Sequence, residues 1–127
     1  LNSRSNFFRS NFANAGLATE EVMVDLTTVK PKVAMPIKLE AKDIGSLLYD
    51  FLEELVFLKD KDLLLFNRFE LSVSKAGSKH RLMGMMHGEE IDRKRHRLEC
   101  DVKAVTLHMF KVEQAKDGWM ARVVLDI

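Results

Sequence analysis

Residues 101–127 read DVKAVTLHMFKVEQAKDGWMARVVLDI, and their alternation decides the fold. Trp119, Ala121, Val123, Leu125 and Ile127 share one parity; Met120, Arg122, Val124 and Asp126 share the other. Period two over this length is the pattern of a half-buried strand. The spacing predicts two last strands, Asp101–Glu113 and Trp119–Ile127, joined by a link, 114–118, that carries an Asp-Gly turn signal. If Glu113 faces Trp119, then Thr106 pairs with Asp126 and His108 with Val124. Lys103 then falls just beyond the pairing, beside the last residue. A slip of one residue would reverse both faces.

Working back along the chain, Arg68–Ser74 alternates through Phe69, Leu71 and Val73, Ala76-Gly77-Ser78 makes a turn, and Lys79–His87 returns. Alternation puts Met83 and Met85 on one face, read as core; a Met-rich surface for a partner is the sharper alternative. Val33–Leu39 is a further strand, and Pro36 within it predicts an edge position because proline has no N–H to give to a ladder. Residues 43–59 have the helical period instead: Ile44, Leu47, Leu48, Phe51, Leu52, Leu55 and Leu58 form one apolar face, with Asp43 as N-cap. A first helix is expected over Ser5–Val24, with Phe8, Phe12 and Ala15 on its stripe. Gly16 weakens it by about 1 kcal/mol relative to alanine or lets it approach the sheet closely. Thr27–Pro31 reads as a linker. The fold class is therefore α+β, two helices on a largely antiparallel or mixed sheet.

Composition narrows the function. The 127 residues are 46% hydrophobic, enough for a core, and carry a net charge of +1. That balance argues against a strong nucleic-acid binder. Arg93-Lys94-Arg95-His96-Arg97 is a local basic run, but Glu89, Glu90, Asp92 and Glu99 flank it, so it reads as a solvated mixed-charge loop. The single cysteine, Cys100, allows no internal disulfide. No apolar run reaches membrane-span length, and the first residues do not read as a signal peptide. A cytoplasmic location without membrane contact is the expectation.

Motifs for catalysis are scarce. No phosphate loop, GxGxxG, CxxC, HExxH or nucleophile elbow occurs, and His80, His87, His96 and His108 are scattered. Asp126 and the terminal carboxylate at Ile127 are the one arrangement that would suit a hard cation, which takes oxygen ligands. Two carboxylates alone are too few for a tight site, and a solvated edge aspartate is the blander reading.

Several stretches resemble the archease family. They are Glu99-Cys100-Asp101-Val102-Lys103-Ala104-Val105-Thr106-Leu107-His108, Gly118-Trp119, and Val124-Leu125-Asp126-Ile127. Phe12-Ala13-Asn14-Ala15 with Val22-Met23-Val24-Asp25 is similar to the family's first helix and its Met-Thr-Asp exit. Residues 47–55 resemble its second helix, and Gly88-Glu89-Glu90 with Arg95-His96 its central loop.

The resemblance implies an accessory protein that assists guanylylation and multiple turnover of the GTP-dependent tRNA-splicing RNA ligase without being an enzyme itself. It implies a divalent-metal site, Ca²⁺ by the family's usage, with Asp126 and Ile127 as two ligands and an Asp of an N-terminal His-Thr-Ala-Asp motif as another. Lys103 matches the lysine of the family's Glu-Val-Lys-Ala motif and is the candidate for partner interaction. That N-terminal motif does not occur in the chain, so residues 1–127 are read as one archease-like domain lacking its natural N-terminal strand. Leu107 and Val24 also depart from the family's usual aromatic residue and threonine. The alternative function is a general chaperone for tRNA-processing or tRNA-modifying enzymes; a stand-alone metal-dependent hydrolase ranks last for want of ligands.

Overall fold

The chain runs β1 (Ser3–Arg9), α1 (Phe12–Met23), β2 (Val33–Ala41), α2 (Ile44–Asp62), β3 (Leu64–Ala76), β4 (Lys79–Glu90), β5 (Ala104–Ala115) and β6 (Gly118–Asp126). The computed structural model describes residues 3–9, 12–115 and 118–127. The strands form two antiparallel sheets, ordered β1-β6-β5 and β2-β4-β3. The α+β expectation holds, with the strands divided between two sheets and the helices packed against both. α1 lies on α2, β3 and β1; α2 touches β5, β2, β3 and β4.

α2 forms where the apolar period placed it. Asp43 caps it by accepting from the Ser46 N–H at 2.7 Å. Leu47, Phe51, Leu52 and Leu55 are wholly buried, each contributing roughly 1.5–3 kcal/mol by leaving water. The helix runs to Asp62 and stops at Leu63, which takes the left-handed conformation at φ 56°. Pro36 does lie on an edge strand, since β2 pairs only with β4.

The expected helix over Ser5–Val24 is corrected at its front. Ser3–Arg9 is a strand paired along β6, and the helix begins at Phe12. Serine and asparagine are weak helix formers, and pairing with β6 gives this backbone its partners. Gly16 permits a close approach: a Cβ there would lie 3.0 Å from the Phe69 ring and 3.1 Å from Phe51. Phe51 and Phe69 themselves meet edge-on, with centroids 5.7 Å apart.

The methionine reading is also corrected. Leu82 and Met86 point into the core, while Met83 is 44% exposed and Met85 half-buried on the opposite face. The even-numbered positions of β4 face the helices, so Met83 and Met85 share the solvent side. The side chains of Phe8, His108, Trp119 and Met120, and residues 116 and 117 of the expected turn, lie outside the described residues.

Candidate functional site at the C-terminal strand

β6 is the middle strand of its sheet, so Asp126 is not on an edge. It pairs with Ser3 of β1 on one side and Ala104 of β5 on the other, and is half-buried. The core side of β6 carries Ala121, Val123 and Leu125, all buried. Asp126 and Val124 fall on the other side, with Ala104 and Thr106 of β5. Thr106 Oγ1 is buried there without a hydrogen-bond partner. Ile127 is half-buried and packs against the main core.

The observed register differs from the expected one. Ala115 pairs with Gly118, so the link is two residues long, and Glu113 pairs with Met120. Farther along, four residues of β5 (107–110) stand opposite Val123 alone, and the ladder resumes with Thr106 against Val124 and Ala104 against Asp126. The extra residues bulge out of β5, which is why a count from the turn misplaced the pairs. The neighbourhood of Lys103 and Asp126 survives the shift: the Lys103 N–H donates to the Asp126 carbonyl at 2.7 Å. The Lys103 side chain is exposed.

A buried lysine fixes the approach to this end of the sheet. Lys59, in the last turns of α2, is 7% exposed. Its Nζ donates to Asp101 Oδ1 and to the Val102 carbonyl, both at 2.6 Å, and pairs with Asp60 at 2.5 Å. Burial opposes the charge, but the hydrogen bonds to Asp101 and Asp60 outweigh it, and the Lys59 pKa is raised. Residues 101–103 are thus clamped between α2 and the end of β6. On β5's core side the Val105 N–H donates to Glu53 Oε1 at 3.0 Å.

The basic run 93–97 is not simply a solvated loop. His96 is 5% exposed and Glu89 is 4% exposed. Glu89 Oε1 accepts from the Lys30 N–H and lies against His96 Nε2, each at 2.8 Å, and Oε2 pairs with Arg95. His96 Nδ1 accepts from the Asp92 N–H at 2.8 Å, which leaves the ring proton on Nε2, donated to Glu89. Arg95, foremost, holds the Glu89 carboxyl far below its ordinary range; burial opposes this, and His96 and Lys30 reinforce it. With Glu89 and His96 buried and Arg95 half-buried, this cluster clamps the 91–98 segment onto the end of β4.

Glu20 was missed. It is fully buried, at 0% accessibility, and neither carboxylate oxygen has a donor in good hydrogen-bonding geometry. Burial pushes its pKa well up, only partly offset by the Phe66 backbone and the Lys59 charge. The signal was in the spacing, since Glu20 follows Gly16 by four and Phe12 by eight, on the buried stripe.

Hard-cation chemistry suits the oxygen donors at Asp126, and the orphaned Thr106 hydroxyl on the same side adds to that character. Among the described residues, no group of three or more His, Cys, Asp or Glu side chains gathers as a metal site. Asp126 and the Ile127 carboxylate alone are too few oxygen donors for a tight hard-cation site. Also among the described residues, no helix is long and apolar enough to cross a membrane.

The model of the Archease protein family (MTH1598/TM1083) matches residues 4–127. The chain is 39% identical over 117 residues to protein archease of Pyrococcus furiosus, covering 91% of this chain and 82% of the relative. It is 37% identical over 116 residues to that of Methanothermobacter thermautotrophicus, with 91% and 82% covered. The solution structure of Methanobacterium thermoautotrophicum protein 1598 superposes with a TM-score of 0.80 at 33% identity, covering 97% of this chain and 98% of that one. A crystal structure from Thermotoga maritima, described as an archease and possible chaperone, shares the fold with a TM-score of 0.58 at 12% identity, over 100% of this chain and 91% of that one. With β1 to β6 and both helices accounted for by these matches, the chain belongs to the archease family.

Proposed function

We propose that this chain is a non-catalytic activator of the GTP-dependent tRNA-splicing RNA ligase, promoting its guanylylation and multiple turnover in the cytoplasm. One observation carries the reading: Lys103 and Asp126 are tied backbone to backbone at one end of the sheet, on a segment that Lys59 immobilises. That bond keeps the half-buried Asp126 and the exposed Lys103 at the same end of the sheet, within reach of one partner surface. Asp126 and the terminal carboxylate of Ile127 would hold one flank of a divalent cation, Ca²⁺ by the family resemblance. Water, an upstream Asp or the ligase would complete the shell. The cation, when bound, supplies positive charge toward an anionic group of the partner. Lys103 orients that group; Asp126 positions the cation.

The test is a guanylylation assay with the full-length protein and its ligase. Asp126→Ala is expected to abolish activation, and Lys103→Ala to weaken it, with both variants folded by circular dichroism. Wild-type activation by Asp126→Ala would sink the proposal.

The exposure of Met83 and Met85 favours a second reading, a general chaperone for tRNA-processing or tRNA-modifying enzymes. Met86, buried at 1%, cannot contribute to such a surface. This reading expects aggregation of an unrelated, thermally unfolding client to be suppressed by wild type and not by Met83→Lys.

A further inference from the structure

The bulge in β5 leaves an open groove of about 530 Å³ against the first turns of α2. Ile44 and Tyr49 form one wall; Leu107, Phe110 and Val112 form the other. Leu107 is 68% exposed, the most exposed of the large hydrophobic side chains described. Tyr49 and Phe110 meet edge-on beneath it, centroids 5.7 Å apart at 88°. An apolar strip this exposed in a folded chain is the kind of surface that partners cover.

The charged side chains that line the strip are acidic. Asp43 and Asp50 line it, and Glu53 lies one turn farther along α2. Burial foremost, and then Glu53 and Asp50, raise the Tyr49 hydroxyl pKa. Lys42 and His80 act on Asp43, but among the described residues neither Asp50 nor Glu53 has an ion-pair partner. The helix N-terminus does not invite an anion, because the Asp43 carboxylate already accepts from the Ser46 N–H. The strip therefore complements a cation carried next to apolar groups.

We infer that this groove docks a protein segment in which Lys or Arg stands beside Leu- or Phe-like side chains, the aliphatic groups on Leu107 and Phe110 and the cation toward Asp50. Asp126 occupies the opposite side of the β1-β6-β5 sheet from α2, so this surface is separate from the proposed ligase-activating end and goes beyond that reading. The packing resembles the way an amphipathic segment lays its apolar face in a groove with charges at the rim.

The experiment uses the full ¹⁵N-labelled chain and, as probe, an amphipathic peptide alternating leucine with lysine and arginine; its control replaces the basic residues by glutamate. The basic peptide is expected to shift amides of residues 43–50 and 107–112, and the acidic one to bind at least about tenfold more weakly. Asp50→Lys and Leu107→Glu, both at exposed positions, should each weaken the basic peptide about tenfold with unchanged melting temperature. Equal binding of both peptides, or shifts confined to other surfaces, would overturn the proposal. So would peptide-free shifts at the groove that grow with protein concentration, which would make a second copy the occupant.

Discussion

Lys59 Nζ lies 2.6 Å from Asp101 Oδ1, and the same nitrogen reaches the Val102 carbonyl at 2.6 Å. One buried ammonium thus joins the end of α2 to the residues that lead into β5, two positions before the chain meets Asp126. Remove the ammonium and the Val102 carbonyl is left buried without a donor. Lys59→Met is expected to cost about 1–3 kcal/mol, read as a lower urea midpoint. It should also speed hydrogen exchange at the Lys103 amide, which a uniform loss of stability would not single out.

Glu20 makes the opposite prediction. A buried carboxyl without a partner opposes folding, so Glu20→Met should stabilise the chain by about 1–3 kcal/mol at neutral pH. The pH dependence has a definite sign. The folded-state pKa lies above the ordinary 4.5, so the folded chain holds the proton longer than the unfolded one. Wild-type stability attributable to Glu20 is full below that ordinary value and is lost as pH rises through the folded one. Urea melts at about pH 4 and about pH 8 should show the variant's advantage widening at the higher pH. An advantage that is constant with pH would contradict a titrating Glu20.

Glu89 works in the acid window. Its folded pKa lies far below the ordinary 4.5, so its contribution is full above that value and lost as pH falls toward the folded one. Glu89→Gln removes the carboxylate that Arg95, His96 and Lys30 share and should cost about 1–3 kcal/mol. The variant should also show a flatter loss of stability on acidification than wild type, followed by far-ultraviolet circular dichroism.

Gly16 tests the helix–sheet approach. With 3.0 Å from a Cβ to the Phe69 ring, Gly16→Val should overpack the site and destabilise by about 1–3 kcal/mol. Gly16→Ala gains about 1 kcal/mol of helix propensity and meets the same ring, so its melting temperature should fall well above that of the valine variant.

What could be read from residue order is what depends on local period. The α2 stripe, the Asp43 cap, the edge position of Pro36 and the turn at Gly77 each follow from neighbours within a few positions. The candidate site was half legible: Lys103 and Asp126 do meet, but by a register that the bulge at 107–110 resets. Nothing local announces a bulge, because its extra residues alternate like the rest of β5. The Glu89–His96 contact joins a strand end to a loop whose charges look solvated. β1 was read as helix because its partner, β6, lies at the far end of the chain. Whether Asp126 and Ile127 hold a cation depends on donors that their spacing does not specify.

β6 is made after both strands it joins, and β1 and β5 have no direct pairing with each other. While the chain is being synthesised, β1 must therefore wait with an unsatisfied edge, because Ser3 finds its partner only when Asp126 emerges. Such a distant closure is slow and leaves strand edges open to wrong pairing in the interval. Closure of this sheet therefore waits on its middle strand, and a chain cut before β6 would leave both β1 and β5 without the ladder partner that β6 gives them here, exposing two strand edges at once.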